Sequence, residues 1–179
     1  METVAIVVLA AGEGRRFGAV KQLHQVDGRP MLELVLDAAA SSGVERRLVV
    51  LGAHAERVLA GIALHGARPV ISDRWRDGQA ASLNTALATL PNEVTEVVVV
   101  LGDGPWLSPE AIRRVLAARG GVRAADYGSG RSHPVVLPRP VWRALPTSGE
   151  TPGRTLTTTL VDCRDLPPPG DVDTPQAVE

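Results

Sequence analysis

Four apolar, β-branched runs punctuate the N-terminal part of the chain: VAIVVL from Val4, RRLVVL from Arg46, ARPVI from Ala67 and EVVVVL from Glu96. They lack the polar alternation of a half-exposed strand, so they read as strands covered on both faces. The segments between them carry helical spacing instead. MLELVLDAAASS opens behind Pro30, placed at a good first helical position, and stops at Gly43. AERVLAGIAL and the alanine-rich QAASLNTALATL predict two further helices. A fourth opens at Ser108-Pro109-Glu110, a capping hydroxyl followed by proline, and runs through AIRRVLAARG to Gly120. Strand and helix thus alternate, which predicts βαβ units in a three-layer α/β/α fold with a mostly parallel sheet.

The pattern changes after residue 133, where nine of the 14 prolines lie. This region predicts an extension on the substrate side, with short strands near His133–Leu137 and Thr159–Cys163. Pro167-Pro168-Pro169 reads as a stiff connector to the last segment. With 179 residues the chain is expected to form one domain over positions 1–179.

Composition narrows the function by exclusion. Apolar residues make up 44%, charged residues 22%, and the net charge is −1, so neither a nucleic-acid surface nor a charged tail is expected. Val4–Ala11 is too short for a membrane span and has no basic leader before it. The single cysteine, Cys163, supports no intramolecular disulfide and no cysteine-based zinc site. The expected location is the cytoplasm.

Charge type says more than net charge. Lys21 is the only lysine; the other 18 of the 19 basic residues are arginine. It closes LAAGEGRRFGAVK, directly after the first apolar run. A compact, flexible ammonium beside a glycine turn suits a phosphate. Two familiar phosphate loops do not fit. Gly12, Gly14 and Gly18 are spaced GxGxxxG, not GxGxxG, and no acidic residue closes the second strand to hold a ribose. A Walker loop would place lysine directly after the last glycine, whereas Lys21 lies three residues beyond Gly18. What remains is a strand-to-loop turn carrying Gly12, Gly14, Arg15, Arg16 and Lys21, open to two readings: a phosphate cradle or a tight turn with solvated charges.

Asp103 follows VVVVLG at the carboxyl end of a buried strand, where open α/β sheets place ligands. It either caps the Gly104-Pro105 turn or, with the first loop, offers a hard oxygen to Mg²⁺. In Asp171-Val172-Asp173, alternation puts both carboxylates on one side of an extended segment. Asp173 alternatively caps a short terminal helix, TPQAVE. Asp77 is open to a similar capping role at the start of the alanine-rich helix.

LAAGEGRRFGAVKQL, followed by VDGRPMLELVLDAAASSGV, resembles the opening of the MobA-like nucleotidyltransferases, within the glycosyltransferase-A-type nucleotide-diphospho-sugar transferase fold. DGQAASLNTAL, LGDGP and DVDTPQAVE match in the same order, so the resemblance spans nearly the whole chain. LAAG with RRFG and KQL most resembles the molybdopterin cytidylyltransferase branch, since the guanylyltransferase branch more typically carries LAGG. The resemblance implies that Leu9, Ala10, Ala11, Gly12 and Gly14 wrap the nucleotide, with Arg15 and Lys21 on its β/γ-phosphates. It implies further that Gly78 and Ser82 hold the base and ribose, and that Asp103 and Asp173, in preference to Asp171, bind Mg²⁺. GRSHPVVL resembles the acceptor-side GHPV segment, with Arg131 and Ser132 before the histidine, and assigns His133 to the acceptor. Gly149-Glu150 and Gly153-Arg154 loosely echo another acceptor stretch, GDxGAR. The family's usual glutamine after GD is Gly104 here.

The expected reaction is therefore transfer of a nucleoside monophosphate, with CTP as the favoured donor, to a phosphorylated acceptor such as molybdopterin. Arg15, Lys21, Asp103 and Asp173 would carry it. Two alternatives stay open: an NAD(P)H-dependent reductase on the same fold, like relatives that reduce nicotine blue, and a non-catalytic partner delivering cofactor to a molybdoenzyme.

Overall fold

The computed structural model describes residues 3–150 and 156–172. In chain order the elements are β1 (Thr3–Leu9), β2 (Gln25–Val26), β3 (Arg29–Pro30), α1 (Met31–Ser41), β4 (Arg46–Leu51), α2 (Ala55–Gly61), β5 (Arg68–Ile71), α3 (Gln79–Ala88), β6 (Val94–Leu101), α4 (Pro109–Ala117), β7 (Val122–Asp126), β8 (Arg131–Pro138), α5 (Arg139–Trp142) and β9 (Thr158–Asp162). Seven strands form one sheet in the order β5-β4-β1-β6-β8-β7-β9, and β2 pairs with β3 in a small hairpin.

The apolar runs form the central strands because both faces are covered. Ile6 and Val8 pack with α1, α2 and α4 on one side. Ala5, Val7 and Leu9 pack against Leu83, Ala86 and Leu87 of α3 on the other. This is the three-layer arrangement that the strand–helix alternation implies. β1 lies parallel to both β4 and β6, with Leu9 level with Val50 and with Leu101. Their carboxyl ends therefore open along one edge, and the loops after Leu9, Leu51 and Leu101 emerge side by side.

Several expected boundaries move. α1 begins at Met31, with the preceding Pro30 belonging to the hairpin. The hairpin ladder holds Pro30 extended, so it precedes the helix instead of starting it. α2 stops at Gly61 because Ile62 is extended, and α4 stops at Ala117 because Ala118 is extended. At the other end of α4 the expected cap is present: the Ser108 hydroxyl accepts from the Glu110 N–H at 3.2 Å. Asp77 does not cap α3. Its carboxylate takes the Arg74 guanidinium instead, and Gly78 occupies the cap position.

The largest correction lies beyond residue 133. β8 is an eight-residue internal strand, antiparallel to β6 and to β7, so this region completes the central sheet and is no appendage to it. The short strands expected near His133–Leu137 and Thr159–Cys163 are present as β8 and β9, and the prolines of β8 sit where no ladder N–H is needed. Pro138 is the last residue of the strand, and the register against β7 skips from Val135 to Ser132, passing over His133 and Pro134. β7 escaped the pattern because VRAAD contains two charged residues, Arg123 and Asp126. Arg123 is nonetheless buried, donating to both carboxylate oxygens of Glu96 on β6 at 2.9 and 2.7 Å and to the carbonyls of Val115, Gly120 and Gly121.

Candidate functional site

The loop after β1 bends at Gly14, which takes a left-handed φ of 63°, and re-enters the molecule through a short 3-10 turn, Lys21–Leu23. Gln22 of that turn is buried, and its amide donates to the carbonyls of Ala10 at 2.8 Å and Gly12 at 3.0 Å. One side chain thus ties the loop to the turn that carries the lysine. Below them lies a cavity of about 270 Å³ at the carboxyl edge of the sheet. Leu9, Ala10, Ala11, Gly12, Gly14, Lys21, Gly78, Ser82 and Asp103 all line it. A β-carbon on Gly12 would touch nothing, so the space before that residue belongs to the cavity and not to the fold.

The far wall comes from α3. Gly78 has φ 103° and ψ 179°, a conformation open essentially to glycine alone, and it packs against the Gly149 backbone. The Ala80 N–H donates to the Gly149 carbonyl at 2.9 Å, and the Gly149 N–H donates to the Asp77 carbonyl at 2.6 Å. The 149 loop therefore clamps the start of the helix. Ser82, almost fully buried, has its hydroxyl 3.4 Å from that of Ser72. Trp75 and Gln79 complete this wall, with the Arg76 guanidinium 4.4 Å over the Trp75 ring.

Asp103 and Lys21 meet at the edge of the cavity. Lys21 Nζ donates to Asp103 Oδ2 at 2.9 Å and lies 3.9 Å from Asp171 Oδ1. Asp103 Oδ1 is sealed from solvent and has no donor among the described residues. A carboxylate with such spare acceptor capacity suits a hard cation or a substrate donor better than a turn cap. No group of three or more His, Cys, Asp or Glu that could hold a metal occurs among the described residues.

The C-terminal segment reaches this place by folding back over the β6 loop. The Trp106 N–H donates to the Pro169 carbonyl at 3.1 Å, and the Val172 N–H donates to the Asp103 carbonyl at 3.2 Å. Val172 is fully buried with Phe17, Val26 and Met31. A β-carbon at Gly104 would lie 2.9 Å from the Pro169 side chain, so the glycine found where glutamine was expected lets this strap close. Asp173, with Gly153 and Arg154, lies outside the described residues.

Arg15 stands apart from the cavity. Its exposed guanidinium pairs with Glu13 at 2.7 Å, and the residue borders a second depression together with His54 and Arg57. The turn at Gly14 sends it outward. His133, at the irregular point of β8, is half-buried; burial, reinforced by the Arg131 charge, lowers its pKa to about 4 against a partial pull upward from Asp103. Its imidazole is thus neutral near pH 7. Burial also pushes up the Tyr127 phenol, whose hydroxyl donates to the His133 carbonyl at 3.2 Å.

The sequence does not single out Gln22, Met31, Trp75 or Gln79, and it offers Asp171 only as the lesser choice beside Asp173. Gln22 carried a signal, since it directly follows the solitary lysine. Trp75 and Gln79 flank a glycine already singled out, but nothing in the pattern showed which side chains would turn inward.

A sheet edge with three converging loops, a glycine turn, a lysine and a strand-end aspartate defines the nucleotide-diphospho-sugar transferase fold. The chain belongs to the family whose model is described as the MobA-like NTP transferase domain, which matches residues 6–163. The bifunctional protein GlmU of Cereibacter sphaeroides is 37% identical over 136 residues, covering 70% of this chain but 30% of that protein. The chain thus spans less than a third of the length of that relative. Nicotine blue oxidoreductase of Paenarthrobacter nicotinovorans is 30% identical over 186 residues, covering 94% of this chain and 91% of that one. Among solved structures, Rv0371c from Mycobacterium tuberculosis H37Rv superposes with a TM-score of 0.79 at 31% identity, covering 97% of this chain and 94% of its own. Another structure of Rv0371C, described as a complex with manganese, gives a TM-score of 0.71 at 28% identity, covering 89% of each chain. Among the described residues no helix is long and apolar enough to cross a membrane.

Proposed function

We propose that this protein is a nucleotidyltransferase that moves a nucleoside monophosphate from an NTP, with CTP favoured, to a small phosphorylated acceptor such as molybdopterin, releasing pyrophosphate. The observation that carries this reading is the convergence of the Gly12 loop, Lys21 and Asp103 on one cavity, with Lys21 Nζ 2.9 Å from Asp103 Oδ2. The cytidylyltransferase-like LAAG loop supports the choice of CTP.

In this reading the backbone of Ala10–Gly14 cradles the phosphates, held in shape by Gln22. Gly78 gives the base and ribose close access to the backbone, and Ser82 offers a hydroxyl. Asp103 and Asp173 would hold a divalent cation, Mg²⁺, which when bound supplies charge neutralisation at the phosphates. The spare oxygen of Asp103 and the manganese found with the Rv0371C structure support that assignment. The acceptor's phosphate oxygen attacks the α-phosphorus in line. The bond from that phosphorus to the bridging oxygen breaks, and pyrophosphate leaves with its charge met by Lys21; Arg15 would join only by leaving Glu13 and turning in from the second depression. No proton transfer is required, so the residues act by positioning and by charge. Neutral His133 faces the acceptor.

A second reading, an NAD(P)H-dependent reductase, has one observation in its favour: the nicotine blue oxidoreductase matches along nearly its full length. The absence of an acid at the end of β4, where a dinucleotide's ribose would be held, weighs against it. A thermal-shift panel separates the two. CTP with Mg²⁺ should stabilise the protein, and Asp103→Ala should abolish that gain. Stabilisation by NADH or NADPH without metal, and by no NTP, would transfer the assignment to the reductase.

A further inference from the structure

We infer that Lys21 is a resident counter-ion for the metal-binding Asp103 and for Asp171 beside it, so that a divalent cation binds far more weakly alone than together with a nucleotide. This rests on the nucleotidyltransferase reading, in which Asp103 binds the metal together with Asp173, two positions beyond Asp171.

The lysine does not wait in the cavity for a phosphate. Its ammonium lies 2.9 Å from Asp103 Oδ2 and 3.9 Å from Asp171 Oδ1, on a side chain only 14% exposed. The two carboxylates come from distant parts of the chain, the β6 loop and the strap. One cation between them lowers the repulsion that would otherwise oppose closing the strap. With Lys21 in place the negative charge of the two carboxylates is partly neutralised. A divalent ion arriving alone must either share them with a like charge a few ångströms away or displace a tethered ammonium.

A triphosphate changes that balance. The loop of Ala10–Gly14 and Lys21 line the same cavity, so phosphates bound there offer the ammonium a new anionic partner within its reach. The move releases Asp103, whose Oδ1 is already without a donor among the described residues. Nucleotide and metal then bind with positive coupling, each making room for the other. The choice of lysine in an arginine-rich chain follows. A flexible point charge can shift between carboxylate and phosphate, whereas a guanidinium would lock onto a carboxylate through two parallel hydrogen bonds.

The test uses Mn²⁺ alone as the probe, titrated into the full chain without nucleotide and followed by the electron paramagnetic resonance signal of the free ion. Lys21→Met should bind Mn²⁺ at least about tenfold more tightly than the wild type, because a like charge has been removed from the carboxylates. The same variant should bind CTP at least about tenfold more weakly in Mg²⁺ buffer. Adding CTP should raise the Mn²⁺ affinity of the wild type far more than that of the variant. Lys21→Arg should show no gain in Mn²⁺ binding. Circular dichroism melts confirm that each variant is folded, and Lys21→Gln replaces Lys21→Met if the latter is not. Mn²⁺ binding that is unchanged or weaker in the neutral variant overturns the inference. That result leaves the functional reading standing so long as the wild type binds CTP; a wild type that binds no NTP defeats the functional reading instead.

Discussion

The two halves of the sheet solve different problems. In the β5-β4-β1-β6 half every pairing is parallel and the strand ends are level, so three loops open into one crevice. Its interior is aliphatic. In the β8-β7-β9 half, β8 runs antiparallel to its neighbours, the register slips at His133 and Pro134, and a charged pair, Arg123–Glu96, is buried where the halves join. Under the proposed function, regular geometry would build the cradle for the nucleotide, and irregular geometry would aim side chains such as His133 at the acceptor. The difference teaches that one sheet can hold a regular, level-ended half and an irregular half side by side.

That contrast can be broken most forcefully at the junction. Arg123→Met leaves Glu96 buried without its partner and should cost about 3–5 kcal/mol in chemical denaturation. CTP-induced stabilisation of the remaining folded protein should persist, because the cradle lies in the other half. Gly78→Ala comes next. It forces a conformation that costs about 1–3 kcal/mol and drives a β-carbon into the Gly149 backbone. It should loosen the α3 wall and weaken CTP binding measured by calorimetry, with the acceptor half unaffected. Gln22→Ala removes the tie to Ala10 and Gly12. Two lost hydrogen bonds of about 0.5–1.5 kcal/mol each predict roughly a tenfold rise in KM for the NTP with a smaller change in kcat. The smallest effect should come from pH. Folding lowers the His133 pKa from its ordinary 6.5 to about 4, so between those values the unfolded chain binds more protons than the folded one. Stability should therefore fall as pH drops through that window. His133→Gln should flatten the decline in Tm from pH 6.5 to 4, and an unchanged slope would remove the imidazole from the account.

Legibility followed the same division. The aliphatic strands could be read directly, because residues such as Ile6, Val7, Val98 and Val99 leave little choice but burial on both faces. The glycine turn, Lys21 and Asp103 were visible as residue types at strand ends. β7 was hidden by Arg123, whose burial depends on Glu96, a partner 27 positions away. The strand at His133–Leu137 could be read, but its full span, Arg131–Pro138, and its place inside the sheet depend on a register that only the assembled sheet defines. The contact between Lys21 and Asp103 spans 82 positions and has no local signature. The outward turn of Arg15 depends on Gly14 and Glu13 together, and the loop motif alone does not reveal it.

Val172 has a consequence of a different kind. Among the described residues it is the sole part of the strap sunk among Phe17, Val26 and Met31. It behaves as a latch whose release would open the machine without dismantling it. Val172→Asp should leave a protein that melts close to the wild type yet lets Asp171 drift from Lys21. In evolutionary terms, such a latch lets a lineage switch the chemistry off, or retune it, while the scaffold survives.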